Sequence, residues 1–196
     1  MSKDIRIKKG LNINLVGAAE HTTSKAALSN VYAINLLDFY GITPKLMVKE
    51  GEEVKAGEPL FYNNDNEEML FVSPVSGELI EIIRGARRKV LMLKILADKE
   101  QTHLTHKTID PEASSAQEII SFLLKSGCWP FIKRRPYDFV ADPGVAPKAI
   151  FISAYATAPL AADMDYVLQG KEKELQAALT ALGKISPGEV HVSIGK

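Results

Sequence analysis

Few residues in this chain of 196 combine type and spacing in the way that chemistry requires. His103-Leu-Thr-His106 sets two imidazoles three positions apart, which is half of a metal site. No Cys, His or carboxylate of matching spacing stands near to complete it, so the pair reads as loop residues. Asp163 and Asp165 could hold a cation, but their place ahead of a helical segment favours capping of its first amides. Cys128 is the one thiol, and beside Trp129 it reads as packing. A single cysteine excludes an internal disulfide and any cluster held by several thiolates of this chain. It points to a cytosolic or cytosol-facing setting. No catalytic residue and no metal ligand is assigned.

Two groups of charge are better candidates. Arg84, Arg87 and Arg88 stand around Gly85, and three guanidiniums on one turn can grip the carboxylates of a neighbouring subunit through paired hydrogen bonds. The alternative for that turn is simple solvation. The second group lies in Cys128-Trp129-Pro-Phe131-Ile-Lys133-Arg134-Arg135-Pro-Tyr-Asp-Phe139. There Trp129 and Phe131 would stack on a flat aromatic or anionic ligand and Lys133, Arg134 and Arg135 would steer it, against the plainer reading of a packed linker with solvated charges. Cofactor-binding residues cannot be named. The apolar run 149–154 leads into Tyr155-Ala-Thr-Ala-Pro159, which has side chains where a dinucleotide's pyrophosphate needs glycine and close backbone approach.

The elements that must position these groups are clearest between Lys45 and Leu96. Short runs rich in Val, Ile and Phe, each bounded by Gly, Pro, Asn or Asp, predict four or five small strands joined by tight turns. Val48-Lys-Glu-Gly51-Glu-Glu-Val54 is echoed by Ile83-Arg84-Gly85-Ala-Arg87-Arg88-Lys89-Val90, so a flattened barrel with approximate twofold symmetry is expected. The first turn is acidic (Glu50, Glu52, Glu53) and the second basic, which predicts an electrically polar module. The whole chain has 24 basic and 24 acidic side chains, so no global field favours nucleic acid as a partner. No apolar run approaches the roughly 18 residues that a membrane-spanning helix needs.

Around this module, Ile5 to Val16 alternates about Gly10 and predicts an opening β-hairpin, with a loop over Gly17–Ser24. Val31 to Leu37 reads as strand. Ser115-Ala-Gln-Glu118 is a capping box that opens a helix of about three turns, stopped by Gly127. The aromatic and proline-rich segment after it predicts an extended, irregular path. Lys148 to Ala154 has the look of a buried parallel strand. Lys171 to Leu182 carries Leu175, Leu179 and Leu182 on one helical face, with Gly183 as its end, and Glu189 to Ile194 is a second strand. Strand, helix, strand makes a βαβ unit. Two parallel strands cannot cover both faces of a sheet, so a piece of something longer is expected. The fold class is therefore α+β, with a β-rich domain over 1–100 and a helix-containing linker and incomplete α/β region over 101–196.

The strand pattern, the Glu-Gly-Glu-x-Val-x-x-Gly-x-x-Leu run and the Pro74-Val-Ser-Gly77 turn resemble the lipoyl and biotinyl carrier domains. In that alignment the hairpin tip falls on Asn64-Asp65-Asn66-Glu67, with Asn66 where the acylated lysine would stand. An amide cannot form that linkage, so the scaffold survives without its covalent cofactor. Taken with Ile7-Lys-Lys-Gly10-Leu11, Ile83-Arg84-Gly85-Ala-Arg87-Arg88, Trp129-Pro-Phe-Ile-Lys-Arg-Arg135-Pro136, Ala149-Ile-Phe-Ile-Ser-Ala and Pro159-Leu-Ala-Ala-Asp163, the chain resembles the A subunit of the bacterial sodium-translocating NADH:quinone oxidoreductase. The resemblance implies a barrel-sandwich module followed by an α/β region akin to the flavoprotein subunit of complex I. It also implies a peripheral subunit on the cytoplasmic face of the bacterial inner membrane, without a transmembrane segment of its own. That subunit would sit beside partners that hold NADH, flavins and iron–sulfur centres, with quinone as its own small-molecule contact. The alternatives are a relative of the C subunit of the Rnf electron-transport complex, whose four-cysteine motifs this chain lacks, and a lipoyl/biotinyl-type binding module without a redox role.

Overall fold

The computed structural model describes residues 15–195. The hairpin expected over Ile5 to Val16 lies almost wholly outside them. Among the described residues the first sheet orders its strands β1 (Val31–Asn35), β7 (Val90–Ala97), β6 (Gly77–Arg84) and β3 (Glu53–Val54), every neighbouring pair antiparallel. A second antiparallel sheet orders β2 (Pro44–Leu46), β4 (Pro59–Asn63) and β5 (Asn66–Val72). The alternation in sequence decides which faces meet. Leu79, Leu93 and Ile95 from the first sheet and Leu60, Phe61, Met69 and Phe71 from the second are buried in one shared cluster. Phe61 and Phe71 stack at 4.4 Å, with Phe39 edge-on to Phe71 at 4.8 Å. Each such side chain contributes about 1.5–3 kcal/mol by leaving water.

The turn between β5 and β6 joins the two sheets. Gly77 opens β6 at φ +151, and a Cβ there would lie 1.9 Å from the Leu96 carbonyl oxygen, so the position requires glycine. Next to it Ser73 and Ser76 are buried. Ser76 Oγ accepts from Thr102 N–H at 2.9 Å, and the Gln101 side chain accepts from Ser76 N–H at 2.7 Å. The segment after β7 is thereby tied back across the turn, and it pairs with Ala56 on its way, Ala56 N–H donating to the Thr102 carbonyl at 3.0 Å.

The core does not stop near residue 100. Helix α1 (Ala116–Lys125) opens with the expected capping box: Ser115 Oγ accepts from Glu118 N–H at 3.3 Å, and the Glu118 carboxylate accepts from Ser115 N–H at 2.8 Å. It closes with Gly127 at φ +73, the Gly127 N–H donating to the Leu124 carbonyl and the Cys128 N–H to that of Leu123. This reciprocal pair satisfies the last carbonyls of the helix. Leu124, Trp129 and Val140 join the same cluster as Phe61 and Leu93. After a 3-10 turn (Trp129–Phe131) comes a small antiparallel hairpin of β8 (Lys133–Arg134) and β9 (Phe139–Val140). The segment is irregular, as the prolines dictate.

Strands β10 (Ile150–Ala154) and β11 (Val190–Ile194) are parallel and in register, with α2 (Met164–Leu168) and α3 (Glu172–Ile185) between them. This is the predicted βαβ unit. Two details differ from the sequence reading. Gly183 does not end α3, which runs on to Ile185 because Ile185 packs against the core and Pro187 is the first residue unable to continue. Nor is β10 buried: Phe151 is 76% exposed and stacks at 4.8 Å on His191 of the neighbouring strand, since among the described residues this sheet has no third strand. Leu175, Leu179 and Leu182 do share a face of the helix, and Lys184 donates to the carbonyls of Glu112 and Ser114, joining α3 to the start of α1.

Candidate docking site

The β4–β5 hairpin turns at Asn64 and Asp65, so Asn66 is the first residue of β5, one place beyond the tip. The carrier alignment therefore misplaces the tip by a residue. The chemistry is unchanged, because neither Asn64, Asp65 nor Asn66 has an amine to acylate. The corner is fastened down. Buried Asn63 accepts from Thr43 N–H at 3.0 Å through its side chain, and Asn64 N–H donates to the Thr43 carbonyl at 2.8 Å.

The basic turn is the tip of the β6–β7 hairpin. Gly85 N–H donates to the Lys89 carbonyl at 2.8 Å, and Arg84 donates to the Arg88 carbonyl at 3.3 Å. Arg84, Arg87, Arg88 and Lys89 are all exposed. Arg87 (φ 55) and Arg88 (φ 61) occupy the left-handed region in succession, where a side chain costs roughly 1–2 kcal/mol per residue. The acidic turn is not at the far end of the module, as the sequence suggested, but alongside. Gly51 N–H donates to the Leu79 carbonyl at 2.8 Å and Glu50 Oε1 accepts from Ile82 N–H at 2.6 Å. Glu50 and Arg84 line one open hollow with Leu46, Val48, Lys49 and Ile82. The antiparallel seating of β3 on β6 brings the two turns together, which a charge count along the chain cannot show.

The second candidate surface divides. Trp129 is 5% exposed, and its Nε1 donates to the Ala141 carbonyl at 2.7 Å. It is a core residue and cannot stack on a ligand. Phe131 is 77% exposed, with Arg134 and Arg135 exposed on the hairpin beyond it. Arg135 reaches Asp138 at 3.5 Å, while Lys133 lies 5.8 Å over the Phe39 ring and donates to the Asp38 carbonyl at 3.3 Å. Tyr40 and Tyr137 flank Phe139 with ring centroids at 6.2 and 6.0 Å. Tyr137 and Phe139 close the segment singled out in the sequence, although stacking was expected there of Trp129 and Phe131; Tyr40 lies too far away in the chain to be grouped with them.

Cys128 also differs from expectation. It is exposed, because the turn that ends α1 gives the interior to Trp129. His103 pairs through its backbone with Ala56. His106 packs edge-on to Phe122 at 6.3 Å, and its Nε2 finds no partner among the described residues. Asp163 caps α2, accepting from Asp165 N–H at 2.9 Å, and its other oxygen lies 3.1 Å from His21 Nε2. Among the described residues no three His, Cys, Asp or Glu side chains converge as a metal site would need. After β10 the chain continues through Tyr155–Ala158, where no glycine lets a pyrophosphate approach the backbone, so this βα turn does not fit a dinucleotide. Among the described residues no helix is long and apolar enough to cross a membrane.

Comparison with known proteins bears on both halves. Residues 5–98 match the model of the NqrA N-terminal barrel-sandwich hybrid domain, and residues 114–196 match that of the NqrA second alpha/beta domain. The chain is 33% identical over 190 residues to the A subunit of the Na(+)-translocating NADH-quinone reductase of Yersinia pseudotuberculosis serotype O:1b, covering 96% of this chain and 42% of that protein. It is 35% identical over 195 residues to the subunit of the same name from Tolumonas auensis (98% and 44%), and 31% identical over 187 residues to that of a Marinomonas species (94% and 42%). The chain thus spans less than half the length of these curated relatives.

Proposed function

The chain belongs to the NqrA family across its barrel-sandwich and α/β parts, and on that premise we propose that it serves as a peripheral subunit of a Na(+)-translocating NADH:quinone oxidoreductase. Such a complex couples electron transfer from NADH to quinone with sodium export. The observation that carries the reading is the match of both family models, in order, along one chain. A barrel-sandwich scaffold alone would be compatible with many functions.

In this reading the chain contributes scaffold and subunit docking and is not itself catalytic. NADH, flavins and iron–sulfur centres belong to its partners, in keeping with a βα turn unsuited to a dinucleotide and with a single cysteine. Quinone is the small molecule assigned to the neighbourhood of this chain, with Phe131, Lys133, Arg134 and Arg135 as its candidate surface. Arg84, Arg87 and Arg88 are the candidate subunit contacts. The protein sits on the cytoplasmic face of the bacterial inner membrane, held there by its neighbours. Of the two domains proposed, 1–100 and 101–196, the second lends Leu124 of α1 and Trp129 to the core of the first.

Affinity purification of the tagged protein from solubilised bacterial membranes tests this. Flavin-bearing membrane subunits and sodium-stimulated NADH:quinone reductase activity are expected to come down with it. Recovery without them, or with the core of a lipoate- or biotin-dependent enzyme, overturns the proposal.

A further inference from the structure

We propose that the tip of the β6–β7 hairpin and the hollow beside it together bind an acidic segment of a partner protein that carries a large apolar side chain next to its carboxylates. The inference rests on the docking reading above and adds the chemistry of what docks.

The tip presents four cations, Arg84, Arg87, Arg88 and Lys89, and none of the ion pairs among the described residues involves them. Arginine's planar fork suits carboxylates better than a lysine's point charge does. The backbone adds a second indication. Arg87 and Arg88 hold left-handed φ values of 55 and 61, at positions where glycine or asparagine would relieve the conformation. Side chains kept where they strain the backbone are a mark of use.

The hollow supplies the rest. Leu46, Val48 and Ile82 line it, with Lys49, Glu50 and Arg84 around them and a volume of about 340 Å³, room for one large side chain and its backbone. Half-exposed Met47 follows Leu46 in the chain. Glu50 is the one carboxylate on its wall, and Ile82 N–H holds one of its oxygens. A ligand carboxylate is repelled on that side and drawn toward Arg84, so an incoming segment lies with its apolar anchor in the hollow and its acidic end toward the tip. A lipid surface fits less well. Between Arg84 and Lys89 the tip offers only Gly85 and Ala86 besides its cations, with no bulky apolar side chain to enter a bilayer interface.

The probe is a short fluorescent peptide with a leucine followed by consecutive glutamates. The same peptide with serine for leucine, a lysine counterpart, and vesicles rich in phosphatidylglycerol serve as comparisons, each added to the full chain and read by amide shifts and anisotropy. The leucine–glutamate peptide is expected to shift Leu46, Val48, Ile82 and Arg87. Replacing its leucine should weaken binding about tenfold, and so should the Arg87→Glu/Arg88→Glu pair. The Arg87→Gly/Arg88→Gly pair relieves the left-handed strain, so it is expected to melt no lower than the parent and yet to bind about tenfold more weakly. Equal binding of all three peptides, stronger binding to vesicles than to the leucine–glutamate peptide, or undiminished binding by the glycine pair overturns the proposal. If the glycine pair still purifies with its membrane subunits at the parental yield, this site is refuted and the subunit reading stands. A parent protein that fails to bring down those subunits refutes the subunit reading and leaves the peptide result to judge the site.

Discussion

Glu118 shows how much one side chain at a helix start can decide. Hydrogen bonds from the Ser115 backbone, then from its side chain, hold the Glu118 carboxyl below the usual carboxylate range. Folding therefore favours the charged form. Its contribution is complete above the ordinary glutamate value and fades as the pH falls through the lower, folded one. A carbon-detected titration of Glu118 is expected to find its midpoint below the ordinary glutamate value, and Ser115→Ala should return it toward that value. The same substitution should cost about 1 kcal/mol in thermal denaturation. Gly77→Ala should be far worse, since its Cβ would overlap the Leu96 carbonyl; loss of soluble folded protein is expected, and a parental melting curve would refute the strain argument. The cap was legible in the sequence, because it answers to neighbours three positions away, whereas the clash that fixes Gly77 comes from Leu96 on the next strand. For Trp129 the sequence offered both a packed linker and a stacking surface; what decides for packing is the Ala141 carbonyl and a core built from strands much earlier in the chain.

Among the elements, the strands of both sheets and the capped helix α1 follow from alternation, turn residues and the capping box. What that pattern left open is how hairpins lie against one another. The acidic and basic turns read as separate poles, and only the pairing of β3 with β6 makes them neighbours around one hollow. The end of α3 was misjudged for a related reason: a glycine stops a helix only where the next side chains gain nothing by continuing, and Ile185 gains a place in the core. At this scale the clamp on the β4–β5 corner can be tested. Asn63→Ala leaves the Thr43 N–H without its acceptor, so a cost of about 1–3 kcal/mol is expected by chemical denaturation. Faster hydrogen exchange should accompany it at Thr43 and Asn64. Unaltered exchange at those amides would show that the corner is held by something else.

For the molecule as a whole, the cluster that includes Phe61, Phe71, Leu124, Trp129 and Val140 makes the β module and the helical segment after it energetically one. Thermal unfolding followed by Trp129 fluorescence and by far-ultraviolet circular dichroism should therefore give coincident transitions. A tryptophan signal that melts apart from the β signal would show that the two are separable. Further out, His21 lies 3.1 Å from Asp163 and stacks on Tyr166 at 5.0 Å, tying the segment before β1 to α2. The corner at Asn64 and Asp65 has the widest consequence. Where a related scaffold carries cargo on a long tether, this one ends in a pinned bend with no reach. The bend can present only what Asn64 and Asp65 themselves offer, at one fixed place on the scaffold.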